Sequence, residues 1–251
     1  MFKFVILIPS YNEEKTLNKI LDKVRKYQVY VINDCSTDNT KNLKKKFLNV
    51  KFIDNKKNIG YENTLFKGFR ILNKKNFDYI ITMDADGEHS IINIKKVIYY
   101  CQKYSPDLIV GNRSRKNRYV EIIFSKLFYL RYEIFDPLSG FKIYKVKILK
   151  TIIENYEVKK HFLIDVLKLF IKQKKKISTI NIMSNSKPKR KSKIGNPFFL
   201  STKIIYCFKY LIWCKFINLI LDKKNLIIVN VEINFNKSNR SGVINLISLL
   251  K

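Results

Sequence analysis

From residue 4 to residue 110 the chain keeps one rhythm. Short apolar runs rich in β-branched residues alternate with stretches whose apolar residues recur at helical spacing. Residues 4–8, 29–33, 50–53, 79–83 and 108–110 read as buried strands. Between them, residues 16–27 carry Leu17, Ile20, Leu21 and Val24 on one helical face, a lysine-rich helix runs to about Leu48, and residues 64–72 and 91–104 read as further helices. Such alternation predicts an α/β fold, a mostly parallel central sheet flanked by helices and joined by right-handed crossovers. Every strand is followed by a polar cluster: Pro9-Ser10-Tyr11-Asn12-Glu13-Glu14, Asp34-Cys35-Ser36-Thr37-Asp38, Asp54-Asn55-Lys56-Lys57-Asn58-Ile59-Gly60, Asp84-Ala85-Asp86-Gly87-Glu88-His89 and Gly111-Asn112-Arg113-Ser114-Arg115. In open α/β sheets ligands bind outside the carboxyl ends of the strands, so these clusters are expected along one rim.

The most chemical of them is Asp84-Ala85-Asp86. Alternate side chains of an extended segment share a face, which turns both carboxylates the same way. Held close they repel, and a cation between them relieves the repulsion. Mg²⁺ or Mn²⁺ suits the pair, because hard ions take oxygen ligands and keep substrate phosphates in their shell. A solvated acidic turn is the plainer alternative for so short a motif.

Composition bounds the rest. At 251 residues with 46% hydrophobic content, the chain can build one sizeable α/β core. Fifty Lys and Arg against 20 Asp and Glu give a net charge of +30, which favours anionic partners: nucleic acid, an anionic membrane surface or phosphorylated substrates. The abundance of Lys, Asn and Ile with few Gly and Pro also fits an AT-rich coding bias. Cys35, Cys101, Cys207 and Cys214 form no Cys-x-x-Cys pair, so neither zinc nor redox chemistry is indicated and a cytoplasmic setting fits. The apolar start, Phe2 to Ile8, is too short for a signal peptide and lacks a cleavage site. No stretch of 18 uncharged apolar residues suggests a spanning helix.

Four segments taken together, Ile8-Pro9-Ser10-Tyr11-Asn12-Glu13-Glu14, Val31-Ile32-Asn33-Asp34-Cys35-Ser36-Thr37-Asp38, Asn58-Ile59-Gly60 and Asp84-Ala85-Asp86-Gly87, resemble in order and spacing the signatures of family 2 glycosyltransferases of the GT-A fold. Asp136-Pro137-Leu138-Ser139-Gly140-Phe141-Lys142 is similar to the subgroup that loads sugars onto polyprenyl phosphates, the dolichyl-phosphate mannosyltransferase type. The resemblance implies transfer, with inversion, from a nucleotide-diphospho-sugar (a GDP- or UDP-sugar) to a polyprenyl phosphate or a cell-surface glycan. It implies that Pro9, Tyr11, Glu13, Ile32 and Asp34 contact the nucleoside, and that Asp84, Ala85 and Asp86 engage the sugar nucleotide and its metal. The family often has aspartate where Asn33 stands and glutamine where Glu88 stands.

Stabilising a leaving diphosphate also calls for cations, and Arg113 and Arg118 follow the fifth strand. Lys187 to Gly195 is the densest basic cluster and resembles a phosphate-closing loop of the same subgroup, with Arg190 and Lys193 as its contacts, although Lys191 replaces a glycine; a basic loop with general polyanion affinity is the alternative. For a hydroxyl acceptor, Asp165 is the candidate general base, against an ordinary acidic residue on a surface helix. A lipid phosphate is already anionic and needs none. His161, and less so His89, are lesser candidates for metal ligation. Residues 1–200 form the expected catalytic domain and 201–251 a C-terminal extension. In the latter, Tyr206, Tyr210 and Trp213 with snorkelling lysines suit the cytoplasmic face of a membrane, and core packing is the alternative. Two rivals have weaker marks. A sugar-phosphate nucleotidyltransferase would carry a Gly-rich loop after the first strand. A nucleic-acid-binding module would interleave aromatics with its basic patch, and residues 187–193 contain none, so no specific nucleic acid is expected.

Overall fold

The β-branched runs pair as strands Phe4–Ser10 (β1), Gln28–Asn33 (β2), Val50–Asp54 (β3), Tyr79–Thr82 (β4), Leu108–Arg113 (β5), Lys142–Lys145 (β6), Ile177–Ile182 (β7) and the two-residue Val229–Asn230 (β8). The computed structural model describes residues 1–113, 119–154, 156, 162–185 and 229–230. All strands join one sheet in the order β3-β2-β1-β4-β6-β5-β7-β8. Every pairing is parallel except those of β6, which runs antiparallel to both β4 and β5. Because β6 reverses between them, β4 and β5 point the same way, and the five predicted strand tips do share one rim.

Alternation along the strands divides the core in two. Val5, Leu7, Ile32, Ile80, Leu108 and Val110 face one side. Ile6, Ile8, Val31, Ile81 and Ile109 face the other. The first face is covered by helices Tyr61–Leu72 (α3), Tyr119–Tyr132 (α5), Val146–Ile153 (α6) and Phe162–Lys172 (α7), with Phe69, Phe124, Phe128, Leu149 and Phe162 buried against it. Helices Glu14–Lys23 (α1), Leu43–Lys46 (α2) and Ile92–Tyr104 (α4) cover the second through Leu17, Leu21, Leu43, Ile94 and Val97. Burial on both faces is what a mostly parallel sheet requires.

Two expectations need correction. The lysine-rich segment is not one long helix but a 3-10 turn, Asn39–Asn42, followed by the four-residue α2. Asp38 caps the turn by accepting from Thr40 N at 3.0 Å, Lys41 carries the same charge as Lys44 and Lys45 one turn on, which disfavours a longer helix, and Phe47 leaves the helix to bury itself in the core. Strand β6 also went unpredicted, since a leading lysine reads as surface while Lys142 is in fact buried. The expected boundary near residue 200 and nearly all of the 201–251 extension lie outside the described residues; Val229–Asn230 pairs beside β7 in the same sheet. Among the described residues, no helix is long and apolar enough to cross a membrane.

Candidate active site

On the β1–β3 side, the loops are knitted by hydrogen bonds among neutral side chains and amides, with Asp34, Asp38 and Asp54 as carboxylate acceptors. After buried Pro9 and Ser10, Asn12 adopts φ 53°, a left-handed conformation that asparagine tolerates. Its backbone N–H donates to Ser36 Oγ at 2.9 Å, and its Oδ1 accepts from Thr37 N at 2.7 Å. Glu13 N–H reaches Thr40 Oγ1 at 3.2 Å. Tyr11 is exposed at the surface of this loop, while Ile32 is buried beneath it. The Asp34 carboxylate is buried and receives Asn55 Nδ2 at 2.8 Å, Ile59 N–H at 2.9 Å and Gly60 N–H at 2.8 Å. It therefore shapes the loop leading into α3 as well as standing where a nucleoside contact was expected. Asn33, the departure noted in sequence, donates Nδ2 to Asp54 Oδ1 at 2.7 Å, across the β2–β3 register. An aspartate there would face Asp54 with like charge.

On the β4–β6 side, charges converge. Asp84, Asp86 and Glu88 each offer an oxygen, and these atoms lie within 4.8 Å of one another. Gly87, at φ 79°, turns the chain so that Glu88 N–H donates to Asp86 Oδ1 at 2.9 Å. Asp84 accepts from Tyr61 Oη at 2.6 Å, and His89 Nε2 lies 3.2 Å from its other oxygen. Burial pushes the Asp84 carboxyl up, but the hydrogen bond and charge of His89, the Tyr61 hydrogen bond and the Arg113 charge outweigh it and hold the group at about 2. Gly140 abuts this carboxylate: a Cβ added there would stand 2.6 Å from Asp84 Oδ1. The donor set is all hard carboxylate oxygen, which fits Mg²⁺ or Mn²⁺ better than a softer ion. His89 is buried against Phe141 and its Nδ1 has no partner among the described residues; it braces Asp84 and is not in the oxygen cluster.

The two sides are coupled through α3. Gly60 N–H binds Asp34, and the next residue, Tyr61, binds Asp84. A second link runs through Thr16, whose Oγ1 donates to Glu13 Oε2 at 2.9 Å and whose methyl lies beside Gly87.

Arg113, expected to meet phosphate oxygens, stands among carboxylates. It grips buried Asp136 with Nε at 2.7 Å and Nη2 at 3.1 Å, and lies 3.7 Å from both Glu88 and Glu121. Burial opposes its charge, yet these three carboxylates raise its pKa above the ordinary arginine value. Next to it, the Lys142 ammonium donates to Ser139 O, and burial pulls its pKa down to about 8 against the attraction of Asp136. Thr82 pins the loop by donating to Gly140 O at 2.8 Å. Asp165, in the first turn of α7, accepts from Tyr156 Oη at 2.8 Å and lies 3.6 Å from Lys168. Arg118, His161, Arg190, Lys193 and the basic cluster 187–195 lie outside the described residues.

Tyr61 is not singled out by the sequence, and Asp136 and Lys142 enter only as the ends of a segment expected beneath the acceptor pocket, with no role of their own. Tyr61 had one usable signal, its place directly after Gly60 at a helix start. A buried lysine carries no sequence mark that separates it from the other basic residues of so basic a chain.

The fold has counterparts among solved structures and sequence relatives. Among solved structures, glucosyl-3-phosphoglycerate synthase from Mycobacterium tuberculosis, in complex with Mn²⁺, UDP and phosphoglyceric acid, superposes with a TM-score of 0.65 at 15% identity, over 84% of this chain and 78% of that one. S. aureus TarS 1–349 in complex with UDP-GlcNAc gives 0.59 at 17% identity, over 88% and 68%. These likenesses give the fold, GT-A. By sequence, a UDP-N-acetylglucosamine–dolichyl-phosphate N-acetylglucosaminyltransferase of Methanococcus voltae is 23% identical over 62% of this chain and 74% of its own. An uncharacterised protein of Methanocaldococcus jannaschii is 31% identical over 58% of this chain and 73% of its own. The family model for Glycosyl transferase family 2 matches residues 5–212. With that match across most of its length, the chain belongs to glycosyl transferase family 2 and is a nucleotide-sugar glycosyltransferase.

Proposed function

We propose that this glycosyltransferase moves a sugar from a nucleoside-diphosphate donor to a polyprenyl phosphate, with inversion and with Mg²⁺ or Mn²⁺. The observation that carries the reading is the three-carboxylate cluster on the rim next to the loops organised by Asp34. Support for the acceptor comes from the Methanococcus voltae relative and from an undecaprenyl-phosphate 4-deoxy-4-formamido-L-arabinose transferase of Proteus mirabilis, 28% identical over 46% of this chain and 38% of its own. The UDP bound by the two structural neighbours favours a UDP-sugar over a GDP-sugar.

In this reading Pro9, Tyr11, Glu13, Ile32 and Asp34 receive the nucleoside, Asp34 chiefly by holding the loop of residues 55–60 in shape. Asp84 and Asp86, joined by Glu88, would hold the metal, and Ala85 between them, its side chain buried in the core, would meet the sugar nucleotide through its backbone. The metal supplies Lewis-acid neutralisation of the departing diphosphate. An anionic phosphate oxygen of the acceptor attacks the anomeric carbon from the face opposite the diphosphate. The new C–O bond forms as the old one breaks, and the electron pair leaves with the nucleoside diphosphate. No proton has to be removed, so no general base is needed for this acceptor. Arg118, Arg190 and Lys193 are the proposed cations for phosphate oxygens. A glycan hydroxyl is the second reading, favoured by the TarS likeness. There Asp165 is the proposed base, oriented by the hydrogen bond from Tyr156 Oη and by Lys168 at 3.6 Å. An enzyme acting on a lipid phosphate works at the membrane surface, and a net charge of +30 suits an anionic cytoplasmic leaflet.

Thermal-shift titration with UDP- and GDP-sugars in the presence of Mn²⁺ identifies the donor; transfer to a short-chain polyprenyl phosphate then tests the acceptor. Asp86→Ala is expected to lower transfer by about 10³-fold, and excess chelator to do the same. Undiminished transfer in chelator refutes the metal role.

A further inference from the structure

We propose that Glu88 is a positioning residue shared by two cations, the divalent ion of the rim and Arg113, and that this sharing lets the loop before β6 sense metal occupancy. The inference rests on the metal-dependent reading above. Glu88 is 4% exposed, so its carboxylate cannot turn to solvent and must be balanced within the protein. On one side it completes the oxygen cluster with Asp84 and Asp86. On the other, Arg113 Nη1 stands 3.7 Å from its Oε1. The same guanidinium grips Asp136 through two hydrogen bonds and lies 3.7 Å from Glu121 of α5. Asp136 opens the loop whose Gly140 rests against Asp84. One arginine therefore connects the metal cluster, the loop of residues 133–141 and α5.

The electrostatics give the coupling its sign. A divalent ion at the cluster draws on the Glu88 charge, and that weakens what Glu88 offers Arg113. The guanidinium then leans more heavily on Asp136 and Glu121, which tightens the loop and α5. A glutamine at 88 preserves the shape and an oxygen ligand but removes the shared charge.

Hydrogen exchange of residues 119–142, read by mass spectrometry on the full chain with and without saturating Mn²⁺, tests this directly. Mn²⁺ affinity is measured in parallel by electron paramagnetic resonance of the free ion. In the native protein Mn²⁺ is expected to slow exchange in the loop and α5. Glu88→Gln is expected to weaken Mn²⁺ binding roughly tenfold and, once saturated, to show no metal-dependent change there. Arg113→Lys keeps a charge but loses the fork, so it should bind Mn²⁺ and likewise fail to respond in the loop. Mn²⁺ binding without any exchange response in the native protein, or a full response in saturated Glu88→Gln, overturns the coupling and leaves the transfer reading standing. Absence of Mn²⁺ binding overturns both the coupling and the metal-dependent mechanism, while nucleotide-sugar stabilisation in the thermal shift would still identify the donor site.

Discussion

The β1–β3 half of the rim and the β4–β6 half are both dense in polar groups, but they are held differently. Around Asn12, Ser36, Thr37 and Thr40, neutral donors and acceptors satisfy one another, and Asp34 spends its carboxylate on the amides of the next loop. This half is shaped before any ligand arrives. Around Asp84, Asp86, Glu88 and Asp136, carboxylates outnumber Arg113 and Lys142, the cations buried among them in the described residues. Among the described residues that half carries an excess of negative charge, which suits a cation. The difference suits a nucleoside, mostly neutral and shape-dependent, at one end and a diphosphate with its metal at the other.

Three substitutions probe this contrast. The largest effect is expected from Gly140→Ala on the charged half, where a Cβ would press on Asp84. It should cost about 1–3 kcal/mol of stability by overpacking and lower transfer on the order of 10²-fold through displacement of the cluster. Denaturation midpoints and turnover check it, and near-native turnover would show the loop yields. Next comes Asn33→Asp on the neutral half, which sets a carboxylate against Asp54. It is expected to destabilise by about 1–3 kcal/mol, and adding Asp54→Asn should recover most of that; failure of the double variant to recover would mean the pair is not what matters. The smallest effect concerns Lys142. Burial lowers its pKa from 10.5 to about 8, so between those values the unfolded chain holds a proton that the folded chain releases. Stability from this residue therefore rises with pH through that window, its penalty fully present below about pH 8. Lys142→Met should flatten the difference in urea stability between pH 8 and pH 10; identical slopes would mean the ammonium is solvated.

The neutral half was largely legible in the sequence because its residues are contiguous with the strands that deliver them. A β-branched run followed by Pro9-Ser10-Tyr11-Asn12 or Asp34-Cys35-Ser36 announces both strand and loop. The charged half was legible only where it too was contiguous, in Asp84-Ala85-Asp86. Arg113 was found as a cation at a strand tip, but its partners come from Glu88, Glu121 and Asp136, and no periodicity links those positions. Asp165 reads from sequence as a free base candidate, whereas α7 packing gives it Tyr156 and Lys168. What stayed hidden are relations across the sheet, above all those created by β6.

That reversed strand has a consequence in time as well as in space. Thr82 and Lys142 meet across 60 residues of chain, and β5 must already be near for β6 to be gripped on both edges. Closing so long an excursion costs entropy before any contact repays it. The loops on neighbouring strands β1, β2 and β3 can thus be shaped by short excursions, while the carboxylate cluster waits on pairings that close 60 residues or more. A molecule caught partway would hold a recognisable cradle for the base and have nothing yet with which to grip the phosphates.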